Sequence, residues 1–264
     1  MSSQEVLPQK LGALKMQVIE NLKYGPFGPN YLDAYLPEQE KFDMVIWFHG
    51  GGLENGSRKE PELAAAVVAQ GLAFVSVEYR MYPDAKFPDY IKDAAAAIAF
   101  VQNSAALSGR VDRLFVSGQS AGAYLTMMLC LCPSYLKKAG VLPQSISGFI
   151  ADSAQQTTHY NILREQGLDT RLERITEAAP LYYVNGDLNI NHLLILYYKE
   201  DMPCRPEQNK LMYQSLKRFL PKADIRLQEL AGTHCSGSSK KEADGSYRYV
   251  TQLVEFVNSL GRQK

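Results

Sequence analysis

The chain has 264 residues, 46% hydrophobic and 21% charged, and its 28 lysines and arginines balance its 28 aspartates and glutamates. That length suits one large α/β domain or two small ones with a real core, and a net charge of zero with no dense basic run argues against a nucleic-acid binder. The first twenty residues hold no apolar run of signal-peptide length, and no stretch is long and apolar enough to cross a membrane, so no membrane association is expected.

In chain order, residues 15–25 and 30–37 predict two edge strands, an antiparallel lead-in. Strand-length apolar runs follow at 44–48 ("MVIWF"), 72–77 ("LAFVSV"), 113–118 ("RLFVSG"), 145–152 ("SISGFIAD"), 192–198 ("HLLILYY") and 224–230 ("DIRLQEL"). Several are apolar throughout instead of alternating, the mark of strands buried on both faces in a parallel sheet. Helices are predicted between them: 60–70, stopped by Gly71; the alanine-rich 90–103; 121–131, ahead of Pro133; 206–220, ahead of Pro221; and 245–260. Strands alternating with helices predict an α/β fold, a mostly parallel central sheet flanked by helices on both faces. Residues 155–186 break this rhythm with a polar excursion carrying two predicted helices, around 159–167 and 170–180, and are expected to form a small lid. The cysteines, Cys130, Cys132, Cys204 and Cys235, lack metal-ligand spacing and are too few for a disulfide framework; they read as free thiols of a cytoplasmic protein.

Between the run at 113–118 and the helix at 121–131 stands Gly118-Gln119-Ser120-Ala121-Gly122. A G-x-S-x-G sequence between strand and helix is a nucleophile elbow. The turn is so tight that side chains two positions either side of the serine would strike backbone, so Gly118 and Gly122 relieve it and Ser120 projects at the carboxyl end of the sheet. A serine hydroxyl needs a base, and the base an orienting acid, in the chain order Ser, acid, His. Of the histidines, His192 precedes its strand and so lies at the wrong end of the sheet, and His159 comes before the acid candidates that follow the 192–198 run. His234, in the loop after the last strand, fits the order. Asp201, at the carboxyl end of "LLILYYKED", is the favoured acid, with Glu200 and Asp152 as alternatives.

"FHGGGLENGS", at 48–57, places three glycines behind an apolar strand. Glycines there cost conformational entropy and are explained if backbone N–H groups must closely approach a developing oxyanion. Gly51, Gly52 and Ala121 are the expected donors, Gly50 shapes the turn and His49 fixes the loop by hydrogen bonds. A phosphate loop would want a following lysine with serine or threonine, and none is present.

These motifs, with "VSVEYRMYPDAKFPDYIKDAAAAIAFV" and its Tyr79-Arg80, Pro83 and Phe87-Pro88, resemble the α/β-hydrolase superfamily and, within it, the hormone-sensitive-lipase-like carboxylesterases, from about Tyr31 onward. Gln119 replaces an aspartate common at the elbow, and Leu53 and Glu54 stand where an aromatic is common. The resemblance is closest to small, minimally capped esterases, including acetyl-esterase-like and arylformamidase-like members. It implies one α/β-hydrolase domain over residues 1–264 and a serine esterase hydrolysing short acyl esters, acetyl esters foremost, through an acyl-enzyme without metal or organic cofactor. The expected partner is a small-molecule ester such as an acetylated sugar; the C-terminal helix or the edge strand could serve a homo-oligomer. An arylformamidase or amidase with the same triad and a non-catalytic ligand-binding module are the alternatives. Leu53, Glu54, Gln119, Tyr124 and, from the excursion, His159, Tyr160 and Arg164 are candidates for the pocket wall.

Overall fold

The computed structural model describes residues 7–11 and 14–261. Its strands are β1 (Leu7–Leu11), β2 (Leu14–Lys23), β3 (Tyr31–Pro37), β4 (Phe42–Phe48), β5 (Ala73–Val77), β6 (Val111–Gln119), β7 (Gly148–Asp152), β8 (His192–Glu200) and β9 (Asp224–Thr233). The helices are α1 (Pro61–Val68), α2 (Asp89–Asn103), α3 (Ala105–Ser108), α4 (Ala121–Leu131), α5 (Ser134–Lys138), α6 (Tyr160–Glu165), α7 (Arg205–Phe219), α8 (Ser236–Ser239) and α9 (Arg248–Ser259). The sheet runs β1-β2-β3-β5-β4-β6-β7-β8-β9. From β5 to β9 every neighbouring pair is parallel, whereas β1, β2 and β3 are antiparallel to their neighbours. The lead-in is therefore antiparallel, but β3 is not an edge: it lies between β2 and β5, and β1 pairs with β2 on its far side.

Apolar runs without alternation become strands with both faces covered. Every residue of β4 is buried. Met44, Ile46 and Phe48 face one layer, with α2, α4 and α7, through Ile91, Ile98, Leu125 and Met212. Val45 and Trp47 face the other, with α1 and α9, through Val67, Tyr249, Leu253 and Phe256. In α9 the buried positions Tyr249, Val250, Leu253, Phe256 and Val257 form one stripe, while α4 is buried all round and lies in the interior. Helices α3, α5 and α8 have four or five residues, too few to show a helical period in sequence. Among the described residues no helix is long and apolar enough to cross a membrane, and Cys130, Cys132, Cys204 and Cys235 are free thiols.

The excursion differs from expectation in two ways. Its first helix forms as α6, but residues 170–180 are not helical until a short 3-10 turn at Pro180–Tyr183. Leu172 and Ile175 are exposed, so that stretch has no apolar stripe to bury against the body. Instead it runs beside residues 157 and 158: Thr158 N–H donates to the Arg174 carbonyl at 2.7 Å and Thr157 Oγ1 to Glu173 at 2.6 Å. Second, the polar run at 154–159 is not surface. Gln155, Gln156, Thr157, Thr158 and His159 are all buried, and a buried backbone must find partners. Helix α7 supplies them from one face: Arg205 Nη1 donates to the Ser153 carbonyl at 2.7 Å, Asn209 Nδ2 to Ala154 at 3.0 Å, and Gln208 Oε1 accepts from the Gln156 N–H at 2.8 Å.

One buried acid lies at the carboxyl end of the sheet. Asp152 ends β7 opposite Gln119, is inaccessible to solvent, and accepts from Ser238 Oγ at 2.7 Å. Burial pushes its carboxyl up to about 7, against the opposing hydrogen bonds of Ser238 and Tyr198. The folded protein thus holds this proton more tightly than the unfolded chain, so the stability it contributes is fully present below about pH 4 and is lost as pH rises toward 7. Asp152→Asn imitates the protonated form. Its melting temperature, measured against wild type, should gain several degrees between about pH 5 and about pH 8; a difference constant with pH would show that the carboxyl ionises normally.

Candidate active site

Parallel strands bring their carboxyl ends to one side of the sheet, where crevices form. Here β6, β7, β8 and β9 end together, and each delivers a polar side chain just past its last residues. Ser120 sits between β6 and α4 at φ 51°, ψ −113°, a strained conformation for a residue with a Cβ. Its N–H is held by the Asp152 carbonyl at 2.8 Å. A methyl group on Gly118 would strike the Gly122 carbonyl, and one on Gly122 would strike the Phe48 carbonyl. Both glycines are therefore dictated by the turn, for the steric reason read from the sequence.

His234 follows β9. Its Nε2 is 2.8 Å from Ser120 Oγ and its Nδ1 is 2.5 Å from Asp201 Oδ1. Asp201 follows β8 with an inaccessible side chain, and its Oδ1 also accepts from the Met202 N–H at 2.7 Å. Burial alone would push the Asp201 carboxyl up; hydrogen bonds from His234 and Ser153 outweigh it and hold the group below the usual carboxylate range. Glu200 is exposed, and Asp152 bonds to Ser238, so of the three acids considered it is Asp201 that meets the imidazole. His192 pairs with Asp224 at 2.8 Å at the amino ends of β8 and β9, the far side of the sheet.

The loop after β4 is built for close approach. His49 is buried; its Nδ1 lies 2.7 Å from the Gly50 carbonyl, its Nε2 3.0 Å from Glu78 Oε1, and its ring stacks on Tyr79 at 4.5 Å. The Tyr79 hydroxyl donates to the His49 carbonyl at 2.8 Å. Gly50 lies against the nucleophile turn: a methyl there would be 3.2 Å from Gln119 Cγ and 3.4 Å from Ser120 Cβ. Gly51 (φ +105°) and Gly52 (φ +69°) take conformations that favour glycine, and a methyl would collide with the Asn55 carbonyl at the first and with the Tyr160 hydroxyl at the second. Ala121 heads α4, so its N–H has no intrahelical acceptor.

The expected pocket wall needs correction. Leu53 and Tyr124 are 0% exposed and His159 1% exposed, so none faces an open site. Leu53, at φ 64°, belongs to the core cluster. The Tyr124 hydroxyl is tied to the Ala178 carbonyl at 2.8 Å. His159 caps α6, accepting from the Asn161 N–H at 3.2 Å, with its ring between Tyr124 and Tyr160. Glu54, Gln119 and Tyr160 keep partial exposure. Glu54 pairs with Arg164, and Gln119 Oε1 accepts from Ser238 Oγ at 2.7 Å.

Sequence reasoning missed Ser153. It follows β7 at φ 64°, donates from Oγ to Asp201 Oδ2, and lies 3.0 Å from His234 Nδ1. The signal available was positional: it is the first residue past a strand lying between those that carry Ser120 and Asp201. Glu78, which holds His49, and Arg205, which holds the Ser153 carbonyl, were missed as well.

The family described as BD-FAE matches residues 32–166 of the chain. Carboxylesterase NlhH of Mycobacterium tuberculosis is 33% identical over 94 residues, 34% of this chain and 30% of that protein; the matched stretch thus spans less than a third of that relative's length. Among solved structures, a truncated carbohydrate esterase from gut microbiota superposes with a TM-score of 0.71 at 17% identity, covering 92% of this chain and 95% of that one. Esterase B from Lactobacillus rhamnosis gives a TM-score of 0.75 at 16% identity, covering 92% and 85%. The nine-stranded order, the strand-to-helix turn at Ser120 and a family match over half of the residues agree: the chain belongs to the BD-FAE family and has an α/β-hydrolase fold.

Proposed function

We propose that the protein is a serine carboxylesterase that hydrolyses short acyl esters, acetyl esters foremost. The observation that carries this reading is the single imidazole of His234 spanning Ser120 Oγ at 2.8 Å and Asp201 at 2.5 Å. Ser120 Oγ attacks the ester carbonyl as His234 Nε2 takes its proton. Asp201 keeps the opposite ring nitrogen protonated and stabilises the cation that forms. The N–H groups of Gly51, Gly52 and Ala121 receive the oxyanion. The alcohol leaves with the proton from His234, and water then cleaves the acyl-enzyme by the same route.

Short acyl groups are favoured because the segment 155–186 brings one short helix against the glycine loop: Asn161 Nδ2 donates to the Gly52 carbonyl at 2.9 Å, and Arg164 pairs with Glu54. In this reading α6 acts as a small lid. A structural neighbour named as a carbohydrate esterase supports acyl groups on a sugar as substrates to try first.

Ser120→Ala should lower kcat/KM for p-nitrophenyl acetate by at least about a thousandfold, and wild type should prefer acetate to butyrate and butyrate to octanoate. Equal activity of the two proteins would sink the assignment. Ser153→Ala removes a hydrogen bond to a buried carboxylate, so kcat should fall about tenfold. Asp201 then binds a proton more readily and draws more strongly on the imidazolium, so the acid limb of kcat/KM should move to higher pH. If neither kcat nor the limb moves, Ser153 is a bystander.

A further inference from the structure

Both ring nitrogens of His49 face oxygens that accept. Nδ1 lies 2.7 Å from the Gly50 carbonyl and Nε2 lies 3.0 Å from Glu78 Oε1. A neutral imidazole carries one N–H and one lone pair. In either tautomer, then, a lone pair would face an oxygen at hydrogen-bond distance, and a second proton on the ring removes the conflict. Glu78 is placed to remain a carboxylate: its Oε2 accepts from the Arg58 N–H at 3.1 Å, with the Arg58 guanidinium 3.7 Å away. Burial alone would push the Glu78 carboxyl up, but His49 and Arg58 outweigh it and hold the group below its ordinary value. His49 is inaccessible to solvent, and a buried cation needs partners. They are in place: Glu78 on one nitrogen, a carbonyl on the other, and the face of Tyr79 stacked on the ring at 4.5 Å and 14°. Glu60 also lies within reach of the ring's charge; burial pushes its carboxyl up against the pull of His49.

We propose that His49 is a buried imidazolium paired with Glu78, and that it is a positioning residue which acts through the Gly50 carbonyl to strengthen the Gly51 N–H as an oxyanion donor. This rests on the serine-esterase reading above. The Gly50 carbonyl and the Gly51 N–H belong to one planar peptide. A cationic donor on the carbonyl oxygen draws electron density out of the C–N bond and leaves the amide hydrogen more positive, a cooperative effect that grows away from water. Gly51 is exposed, and its N–H has no acceptor among the described residues, so the polarised donor is free for a substrate oxygen. Its pull is greatest on an oxygen that carries developing charge, so it favours the transition state over the bound ester. No proton is transferred: the ring keeps both. The loop is shaped around this bond. At Gly56 (φ +107°) a side chain would strike both His49 Nδ1 and the Gly50 oxygen, which explains a glycine outside the run of three.

The test is Glu78→Gln. The amide has the size of the carboxyl and serves both neighbours by turning its NH2 to His49 Nε2 and its oxygen to the Arg58 N–H, so the loop stays anchored while the ring loses one proton. The ring is read by NMR on protein whose histidines carry nitrogen-15, with His49 assigned through its contact with the Tyr79 ring. At about pH 8, where an exposed histidine is neutral, wild type should show two protonated nitrogens on that ring and Glu78→Gln one. On p-nitrophenyl acetate the variant's kcat should fall about tenfold, with KM changed by less than about threefold. The wild-type spectrum decides the charge without any variant: a single proton on the ring overturns the proposal. A ring that keeps both protons opposite glutamine, a kcat equal to wild type with a neutral ring, or a loss confined to KM overturns it too. The spectrum needs no substrate, which separates the two readings. An active wild type with a neutral His49 keeps the esterase and loses this proposal. A charged His49 in a wild type inert on every p-nitrophenyl ester sinks the esterase reading, and the role at the oxyanion with it.

Discussion

Gly122 is packed so tightly against the carbonyl of Phe48 that any side chain on it would strike that oxygen. This contact joins the first turn of α4 to the end of β4, and so holds the nucleophile turn against the glycine loop. A side chain at Gly122 would push the two apart, and one at Gly118 would open the turn from within. With both absent, Gly50 lies against Ser120, and the Gly51–Gly52 segment continues past it. His49 locks the other side of the loop by stacking on Tyr79 and meeting Glu78. The arrangement proposed to attack a carbonyl and hold its oxygen thus rests on the end of β4 and the start of α4 being forced into contact.

Strain gathers around this junction. Five non-glycine residues with positive φ, Leu53, Ser120, Ser153, Cys204 and Cys235, belong to the loops that carry the site or open the helices beside it. Such conformations persist only where the surroundings over-determine them. At Ser120 that is the bond from its N–H to Asp152; at Ser153 it is the bond from its N–H to Leu196 and that from Arg205 to its carbonyl. Leu53 is held by burial and by the Tyr82 N–H on its carbonyl. The surrounding packing stabilises what local preference opposes.

Helix α7 links the fold to the chemistry. Arg205, Gln208 and Asn209 are buried, and each makes a hydrogen bond to the backbone of residues 153–156. Burying a guanidinium is costly; burial draws the Arg205 pKa down, and the Asp201 charge opposes that pull. The return is a fixed Ser153 touching both Asp201 and His234, and a polar segment that can lie inside the protein instead of on it.

The sequence alone determined the parallel part of the sheet and pointed to the candidate residues at its carboxyl end, because both rest on local rules. Apolar runs such as "MVIWF" can only be doubly buried strands. A serine between glycines at a strand-to-helix junction needs those glycines whatever surrounds it, and chain order singled out His234 at a strand's carboxyl end. Tertiary structure decided what depends on neighbours distant in the chain. The stretch 170–180 has helical residues but no surface to pack on, so it pairs with Thr157 and Thr158 instead. Gln155 to His159 look like a solvated loop until α7 supplies partners 50 residues away. Ser153 is one serine among many until β7 sets it beside Asp201 and His234. Tyr124 and Tyr160 look alike in sequence, yet burial silences the first, and the close approach of α6 to Gly52 gives the second its place.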